Sequence, residues 1–232
     1  MRSEVLRSLL AVTASDPAAI EAAIASDADA LLIDVDVAAA ILARKGGSRT
    51  YVRIAALDDP RAMTDMSNAV AAKPCGLALS QASGGADVQR LSARLAVEEA
   101  HAGLPEGALR ILAFAGETPD AIFNLSTYSS ASPRLEALVA SLAPLAVALR
   151  TTPRASQAVL GGALRLARDL TLIAARAAGG LALEGPFANV DDIAGLRAEA
   201  LVARADGFDG KVAIDVAQVA VINEVFARGL MS

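Results

Sequence analysis

The feature that most constrains the fold is a regular alternation of short apolar segments with segments of helical pattern along the 232 residues. Each apolar segment is bounded by polar, Gly or Pro residues, which is typical of buried parallel strands. Eight strand candidates follow one another: Ser8–Val12, Ala30–Val35, Thr50–Ala55, Gly76–Leu79, Arg110–Ala115, Leu145–Leu149, Leu181–Leu183 and Lys211–Ile214. Eight units of strand and helix predict the α/β class and a single (β/α)8 TIM barrel, with residues 1–232 as one domain.

An open doubly wound sheet is the main alternative architecture. Its usual phosphate-binding fingerprint, GxGxxG after the first strand, is absent, because the first strand candidate continues into Thr13-Ala14-Ser15-Asp16. No Pro-, Gly- or Ser-rich linker divides the chain. The sequence therefore favours the barrel.

Dipeptides in which Asp or Thr precedes proline mark several expected helix starts. Asp16-Pro17 and Asp59-Pro60 both supply an N-cap aspartate followed by proline at the first helical position. Glu117-Thr118-Pro119 and Thr152-Pro153 predict two further starts.

Charge and cysteine content limit the partners and the compartment. The formal net charge is −5 and no dense cluster of Lys and Arg is present, so neither nucleic acid nor an anionic membrane is expected as a partner. The most apolar stretch, Leu135–Leu149, is too short and too interrupted to cross a bilayer. The only cysteine, Cys75, cannot form an intramolecular disulfide, and the N-terminus shows no signal-peptide pattern, so a cytoplasmic location is predicted.

The segment GFDGKVAIDVAQVAVIN, residues 207–223, resembles a signature of one enzyme family. In the citrate lyase β-subunit branch of the HpcH/HpaI aldolase family this signature reads GFDGKxxIHPxQIxxIN. RSLLAVTASDP (residues 7–17) and YVRIAALDDP (residues 51–60) resemble other segments of the same family, in the same order. The family's His-Pro pair is replaced here by Asp215-Val216.

This resemblance implies a carbon–carbon lyase that acts on a CoA thioester or on a small hydroxy or oxo acid. Such enzymes hold Mg²⁺ with a Glu and an Asp at strand ends and bind the substrate carboxylate with an arginine. By motif position, Arg53 would bind the substrate, Glu117 would bind the metal and Asp36 would orient water or a base. The resemblance also implies a small-molecule substrate and a homo-oligomer.

Each of these residues has a purely structural alternative. Arg53 could instead pair with an acidic neighbour, either Asp34 or Asp36. Glu117, which precedes Thr-Pro, could serve only the first turn of a helix.

The family's second metal ligand, an Asp after strand six, has no counterpart. A gap-free alignment from Glu117 places Pro144 there, whereas alignment on the strand candidate Leu145–Leu149 places residues 150–153 there. No Asp or Glu occurs between Glu136 and Asp169, so both alignments lack the second carboxylate. The resemblance implies Mg²⁺ as a cofactor. Because a lone carboxylate binds Mg²⁺ weakly, we expect millimolar Mg²⁺ to stabilise the protein little against thermal unfolding.

Arg150 is a candidate replacement for the missing cation. On the assumption that it ends strand six, its guanidinium could pair with Glu117 or bind a substrate carboxylate. The alternative is that Arg150 faces solvent.

Three functions therefore stay open at the level of sequence, the last of them a different, metal-free enzyme that uses the same barrel mouth. The first is an active carbon–carbon lyase. The second is a catalytically degenerate family member that binds a small anion or acts as an interaction or regulatory protein, because a fold does not by itself imply an activity.

Overall fold

The computed structural model describes residues 6–13, 16–45, 49–151 and 161–227, and its strands close into one barrel in chain order. Every neighbouring pair of strands is parallel, including the closing pair of the first and the eighth. The strands are β1 (Ser8–Val12), β2 (Ala30–Asp34), β3 (Thr50–Ile54), β4 (Gly76–Ala82), β5 (Arg110–Ala115), β6 (Leu135–Ala140), β7 (Leu181–Glu184) and β8 (Gly210–Ala213). The predicted (β/α)8 TIM barrel is confirmed.

Helices follow the strands and surround the barrel. They are α1 (Pro17–Ala25), α2 (Val35–Lys45), α3 (Ala62–Ala71), α4 (Gly85–His101), α5 (Pro119–Phe123), α6 (Ala143–Ala148), α7 (Gly162–Ala177), α8 (Ile193–Asp206) and α9 (Val216–Val225), with a short 3-10 helix at Leu125–Ser130. Within the described ranges no helix combines the length and the apolar character that a membrane span requires.

Side chains alternate between the inside and the outside of the barrel along each strand, and this produces two separate apolar cores. One core consists almost entirely of strand side chains and fills the barrel; its larger members are Leu9, Leu32, Tyr51, Phe114, Val139 and Leu183. The residues between them on the same strands pack outward against the helices; they include Leu10, Leu31, Val52, Leu77 and Leu138. Because successive side chains on a strand point to opposite faces, Asp34 and Arg53 point to the same side as Leu32 and Tyr51, toward the barrel axis.

The prediction for the sixth strand is wrong. Leu145–Leu149 belongs to the α6 region, and the strand is β6, ten residues earlier. Leu145 is buried, whereas Val147 is 74% exposed and Leu149 is 38% exposed, as expected of a helix that packs on one side only. A short apolar run does not by itself distinguish a buried strand from a helix, and here the helix is formed.

A charged residue concealed the true sixth strand in the sequence. Glu136 lies inside β6, but its carboxylate accepts a hydrogen bond of 2.6 Å from the Tyr51 hydroxyl. The Arg49 and Arg110 guanidinium groups lie 3.4 Å and 3.8 Å from it. A strand can bury a carboxylate when partners from other strands of the barrel satisfy it, and no local pattern shows that these partners exist.

The predicted helix starts are confirmed at two places. Asp16 caps α1 by accepting from the backbone N–H of Ala18 at 3.2 Å, and Thr118 caps α5. At the third place the prediction was early, because Asp59 accepts from the backbone N–H of Arg61 within a turn and α3 begins at Ala62. The start predicted at residues 152–153 lies outside the described residues.

The first residues of the GFDGK segment, residues 207–211, have structural roles. Gly207 ends α8 with a φ of 109°, which glycine adopts at least cost. The Phe208 ring lies under the Arg168 guanidinium, 4.6 Å from ring centroid to Cζ. Asp209 accepts from the backbone N–H of Ala182 at 2.8 Å, which fixes the approach of the chain to β7.

The last two residues of this segment close the barrel. A Cβ on Gly210 would lie 2.2 Å from the carbonyl oxygen of Leu6, so only glycine fits where β8 meets the start of β1. The next residue, Lys211, is fully buried, with Nζ 3.2 Å from Glu184 and 2.8 Å from Glu199. The lysine thus bridges two buried carboxylates, one on β7 and one on α8, and Arg168 supplies a second positive charge to Glu184.

We predict that Lys211→Met destabilises the protein by about 3–5 kcal/mol, because it removes the buried positive charge that contacts both Glu184 and Glu199. The measurement is the free energy of unfolding in urea at neutral pH. The matched control is Arg197→Met, which breaks an exposed ion pair with Glu224 and is expected to change stability little. Equal losses in the two variants would contradict a stabilising role for the buried lysine.

Candidate active site at the carboxyl ends of the strands

Five residues at the carboxyl ends of β2 to β6 are linked by contacts or charge interactions from one strand to another. We call them the rim cluster. Its members are Asp34, Arg53, Gln81, Glu117 and Ser141. The carboxyl ends of all strands in such a barrel open on the same face, where the active sites of these barrels are found. The rim cluster therefore lies where chemistry is expected.

Arg53 has hydrogen-bond donors without acceptors. It is the fourth residue of β3, and its side chain is 29% exposed. Its Nε lies 3.1 Å from Asp34 Oδ1, but the geometry is not that of a hydrogen bond. In the described structure Nε and Nη2 are both buried and neither has a hydrogen-bond partner. Buried donors of a guanidinium are normally satisfied, so these two point to a missing acceptor.

Of the two acidic neighbours proposed for Arg53, the structure selects Asp34. Asp34 is the last residue of β2 and is the direct register partner of Arg53 on β3. Asp36 lies in the first turn of α2 and is exposed. The role proposed for Asp36, orienting water or a base, stays a prediction.

Glu117 is a buried carboxyl group with two hydrogen-bond donors. It follows β5 after Gly116, whose φ is 78°. Its carboxylate accepts from the backbone N–H of Gln81 at 2.6 Å and is hydrogen-bonded by the Ser141 side chain. Burial raises the pKa of the Glu117 carboxyl above its ordinary range, although these donors and the Arg53 charge act in the opposite direction.

An irregularity in β4 turns the Gln81 amide toward Glu117. The pairing of β4 with β5 shifts register between Leu79 and Ala82, and Gln81 has a φ of 50°, uncommon for a residue other than glycine. Bulges of this kind redirect backbone groups next to functional sites. The strained backbone here supplies one fixed donor to a buried carboxylate.

The rim cluster does not match the donor set that a divalent cation needs. The residues that follow β6 are Ser141, Leu142, Ala143 and Pro144, and none carries a carboxylate. The alignment on Leu145–Leu149 assumed a strand that the structure does not form, and the alignment that places Pro144 at the second ligand position stays a prediction. Among residues 6–13, 16–45, 49–151 and 161–227, no group of three or more His, Cys, Asp or Glu side chains is arranged to hold a metal ion. A hard cation such as Mg²⁺ prefers several anionic oxygens, so the residues present do not fit it.

The prediction that Arg150 ends the sixth strand is wrong. Arg150 follows α6, is exposed, and has a φ of 53°. The structure records no ion pair between Arg150 and Glu117 within the described residues. The cation whose charge acts on Glu117 is instead Arg53, which lowers the carboxyl pKa against the effect of burial. The exposure of Arg150 supports the alternative that it faces solvent.

Two members of the rim cluster, Ser141 and Gln81, are not among the site residues that the sequence predicts. With the sixth strand predicted at Leu145–Leu149, Ser141 precedes that strand and does not lie at its carboxyl end. Correct placement of β6 would have located Ser141 at the rim, one residue past the strand. The contact of the Gln81 amide with Glu117 depends on the backbone of β4, so no residue pattern indicates it.

Comparison with known proteins identifies what this barrel resembles. A family model described as HpcH/HpaI aldolase/citrate lyase matches residues 7–216. The citrate lyase subunit beta of Leuconostoc mesenteroides subsp. cremoris is 27% identical, and the match covers 98% of this chain and 79% of that protein. A (3S)-malyl-CoA thioesterase of Cereibacter sphaeroides is 29% identical, with coverage of 95% and 77%.

A solved structure shows the same fold. Protein CitE from Mycobacterium tuberculosis, in complex with magnesium and acetoacetate, superposes with a TM-score of 0.76. The sequence identity is 23%, and the match covers 98% of this chain and 93% of that one.

The raised pKa of Glu117 predicts a pH-dependent effect of Glu117→Gln on stability. A raised pKa means that the folded state retains its proton at a pH where the unfolded state has lost it. The wild-type carboxyl therefore costs stability as the pH rises from its ordinary value of 4.5 through the raised folded value. We expect the stability of Glu117→Gln to improve relative to wild type between about pH 4 and pH 7.

The measurement is urea unfolding of both proteins across this range. Glu106→Gln, at an exposed glutamate, controls for the loss of one negative charge. A constant difference between wild type and Glu117→Gln across the range would mean that burial does not govern this carboxyl group.

Proposed function

The chain belongs to the HpcH/HpaI aldolase/citrate lyase family, and on this basis we propose that its rim cluster binds a small oxo or hydroxy acid, free or as a CoA thioester, and cleaves it as a carbon–carbon lyase. The family and the two relatives support lyase or CoA-thioester chemistry in general.

The observation that carries the proposal is the pair of unpartnered Arg53 donors. A planar guanidinium offers parallel N–H groups that match the two oxygens of a carboxylate. Nε and Nη2 of Arg53 are adjacent on the guanidinium and buried, and neither has a hydrogen-bond partner in the described structure. Asp34 lies 3.1 Å from Nε and holds the guanidinium at the rim by an ion pair, but it forms no hydrogen bond with Nε. A substrate carboxylate would complete this arrangement.

The proposed cleavage breaks the bond between a hydroxyl-bearing carbon and the carbon next to the thioester. The hydroxyl proton passes to a base as the hydroxyl becomes a carbonyl, and the electron pair of the broken bond forms an enolate, which then takes up a proton. Arg53 would bind the carboxylate of the departing oxo acid. Glu117 is the buried group that could hold or release a proton beside it, because burial favours its protonated form.

A second candidate function is binding without cleavage. The rim cluster lacks the second carboxylate expected after β6, where Ser141 to Pro144 follow instead. A family member that has lost a ligand of the usual metal could retain the anion site and serve as an interaction or regulatory protein.

Self-association is also part of the proposal. Large apolar side chains are exposed on α5, α6 and α7, including Phe123, Val147 and Leu166. Clusters of exposed apolar residues are found at interfaces between protein chains. Sedimentation equilibrium would measure the mass, and a monomer at micromolar concentration would contradict this part of the proposal.

Incubation with (3S)-malyl-CoA and with citryl-CoA tests the reaction. A lyase releases an oxo acid and leaves the thioester intact, whereas a thioesterase releases free thiol, so assays for both products separate the two reactions. We expect oxo acid without free thiol. Binding of a substrate without either product would favour the second candidate function, and absence of both binding and turnover would contradict the proposal.

Substitution of Arg53 by Lys tests the residue that carries the proposal. Lysine keeps the charge but loses the paired donors, so we expect kcat/KM to fall about 10- to 100-fold. The control is Arg197→Lys, a like substitution at an exposed arginine on α8. If no turnover is detectable, the dissociation constant for pyruvate replaces kcat/KM as the readout. Unchanged values in Arg53→Lys would remove Arg53 from the site.

A further inference from the structure

The Glu117 carboxylate is already occupied by donors that a metal cannot replace without rearrangement. The Gln81 backbone N–H approaches one oxygen to 2.6 Å, and the Ser141 side chain forms a second hydrogen bond. The amide is fixed by the irregular backbone of β4. A cation at the same oxygens would have to share them with these protons, and like-signed partial charges would then face one another.

The counter-charge that a divalent cation would supply is also present in the protein. The Arg53 guanidinium acts electrostatically on Glu117 and lies against Asp34. The two carboxylates of the rim cluster therefore share one permanent positive charge. A second cation would meet the repulsion of Arg53 as well as a donor set with too few anionic oxygens.

We propose that the rim cluster binds its carboxylate ligand without a divalent cation, through Arg53 alone as the positive group. This inference rests on the proposed carboxylate site and adds to it that the site works independently of metal. It separates this chain from the CitE structure, which contains magnesium together with acetoacetate. The unpartnered Nε and Nη2 of Arg53 would donate to the ligand directly.

Titration calorimetry with pyruvate, in the presence of EDTA and in the presence of millimolar MgCl₂, tests this inference on the full chain. We expect the two dissociation constants to agree within about threefold, and Arg53→Lys to weaken binding about tenfold or more under both conditions. The melting temperature of the wild-type protein should not rise with MgCl₂ alone.

A restored carboxylate provides the complementary test. Pro144→Asp places an acidic residue at the position that corresponds to the missing ligand, and Ser141→Asp places one beside Glu117. We expect at least one of them to gain a rise in melting temperature with millimolar MgCl₂ that wild type lacks. Two variants are needed, because Ser141 is buried and its substitution alone could prevent folding.

The outcomes separate this inference from the proposed function. Pyruvate binding that requires MgCl₂ in the wild-type protein overturns the inference and leaves the carboxylate site standing. A wild-type melting temperature that rises with MgCl₂ overturns it as well. Absence of binding under both conditions overturns the inference and the proposed site together.

Discussion

Closure of the sheet between β8 and β1 is the contact on which the rest of the structure depends. Lys211 donates its backbone N–H to the Arg7 carbonyl at 2.8 Å, and Ser8, Leu9 and Leu10 lie in register with Lys211, Val212 and Ala213. Closure leaves no free sheet edge and directs all eight carboxyl ends to one face. The residues of the rim cluster come from different strands and loops, and they lie close together only because the barrel closes.

The chain buries charge in two different ways, and the difference separates scaffold from site. Around Lys211 the groups are satisfied: its Nζ reaches Glu184 and Glu199, and Glu184 also accepts from Arg168 at 2.5 Å. At the rim, Arg53 keeps two buried donors without acceptors. A satisfied network stabilises a fold, whereas unsatisfied buried donors cost free energy unless a ligand completes them. We therefore assign the first to structure and the second to binding.

The family relationship accounts for the barrel and leaves the chemistry to the rim. The GFDGK segment, which resembles the family most closely, consists of residues that cap α8, stack under Arg168 and close the barrel. The candidate site residues Arg53 and Glu117 lie instead at the carboxyl ends of the strands. Residues that shape a fold and residues that perform a reaction answer to different constraints, so one set can be kept while the other changes.

The sequence by itself determined the eightfold alternation, seven of the eight strands and the caps at Asp16 and Thr118, because these depend on local patterns of burial and backbone geometry. It also placed Arg53 and Glu117 at strand ends. It could not identify β6, because the carboxylate of Glu136 is satisfied by Tyr51 from a distant strand.

Only the tertiary structure chose Asp34 over Asp36, brought Ser141 and the Gln81 amide to Glu117, and left Arg150 at the surface. Each of these outcomes depends on which side chains face one another across the closed barrel. Such contacts join residues far apart in the chain, and strand register and loop conformation, rather than local pattern, decide them.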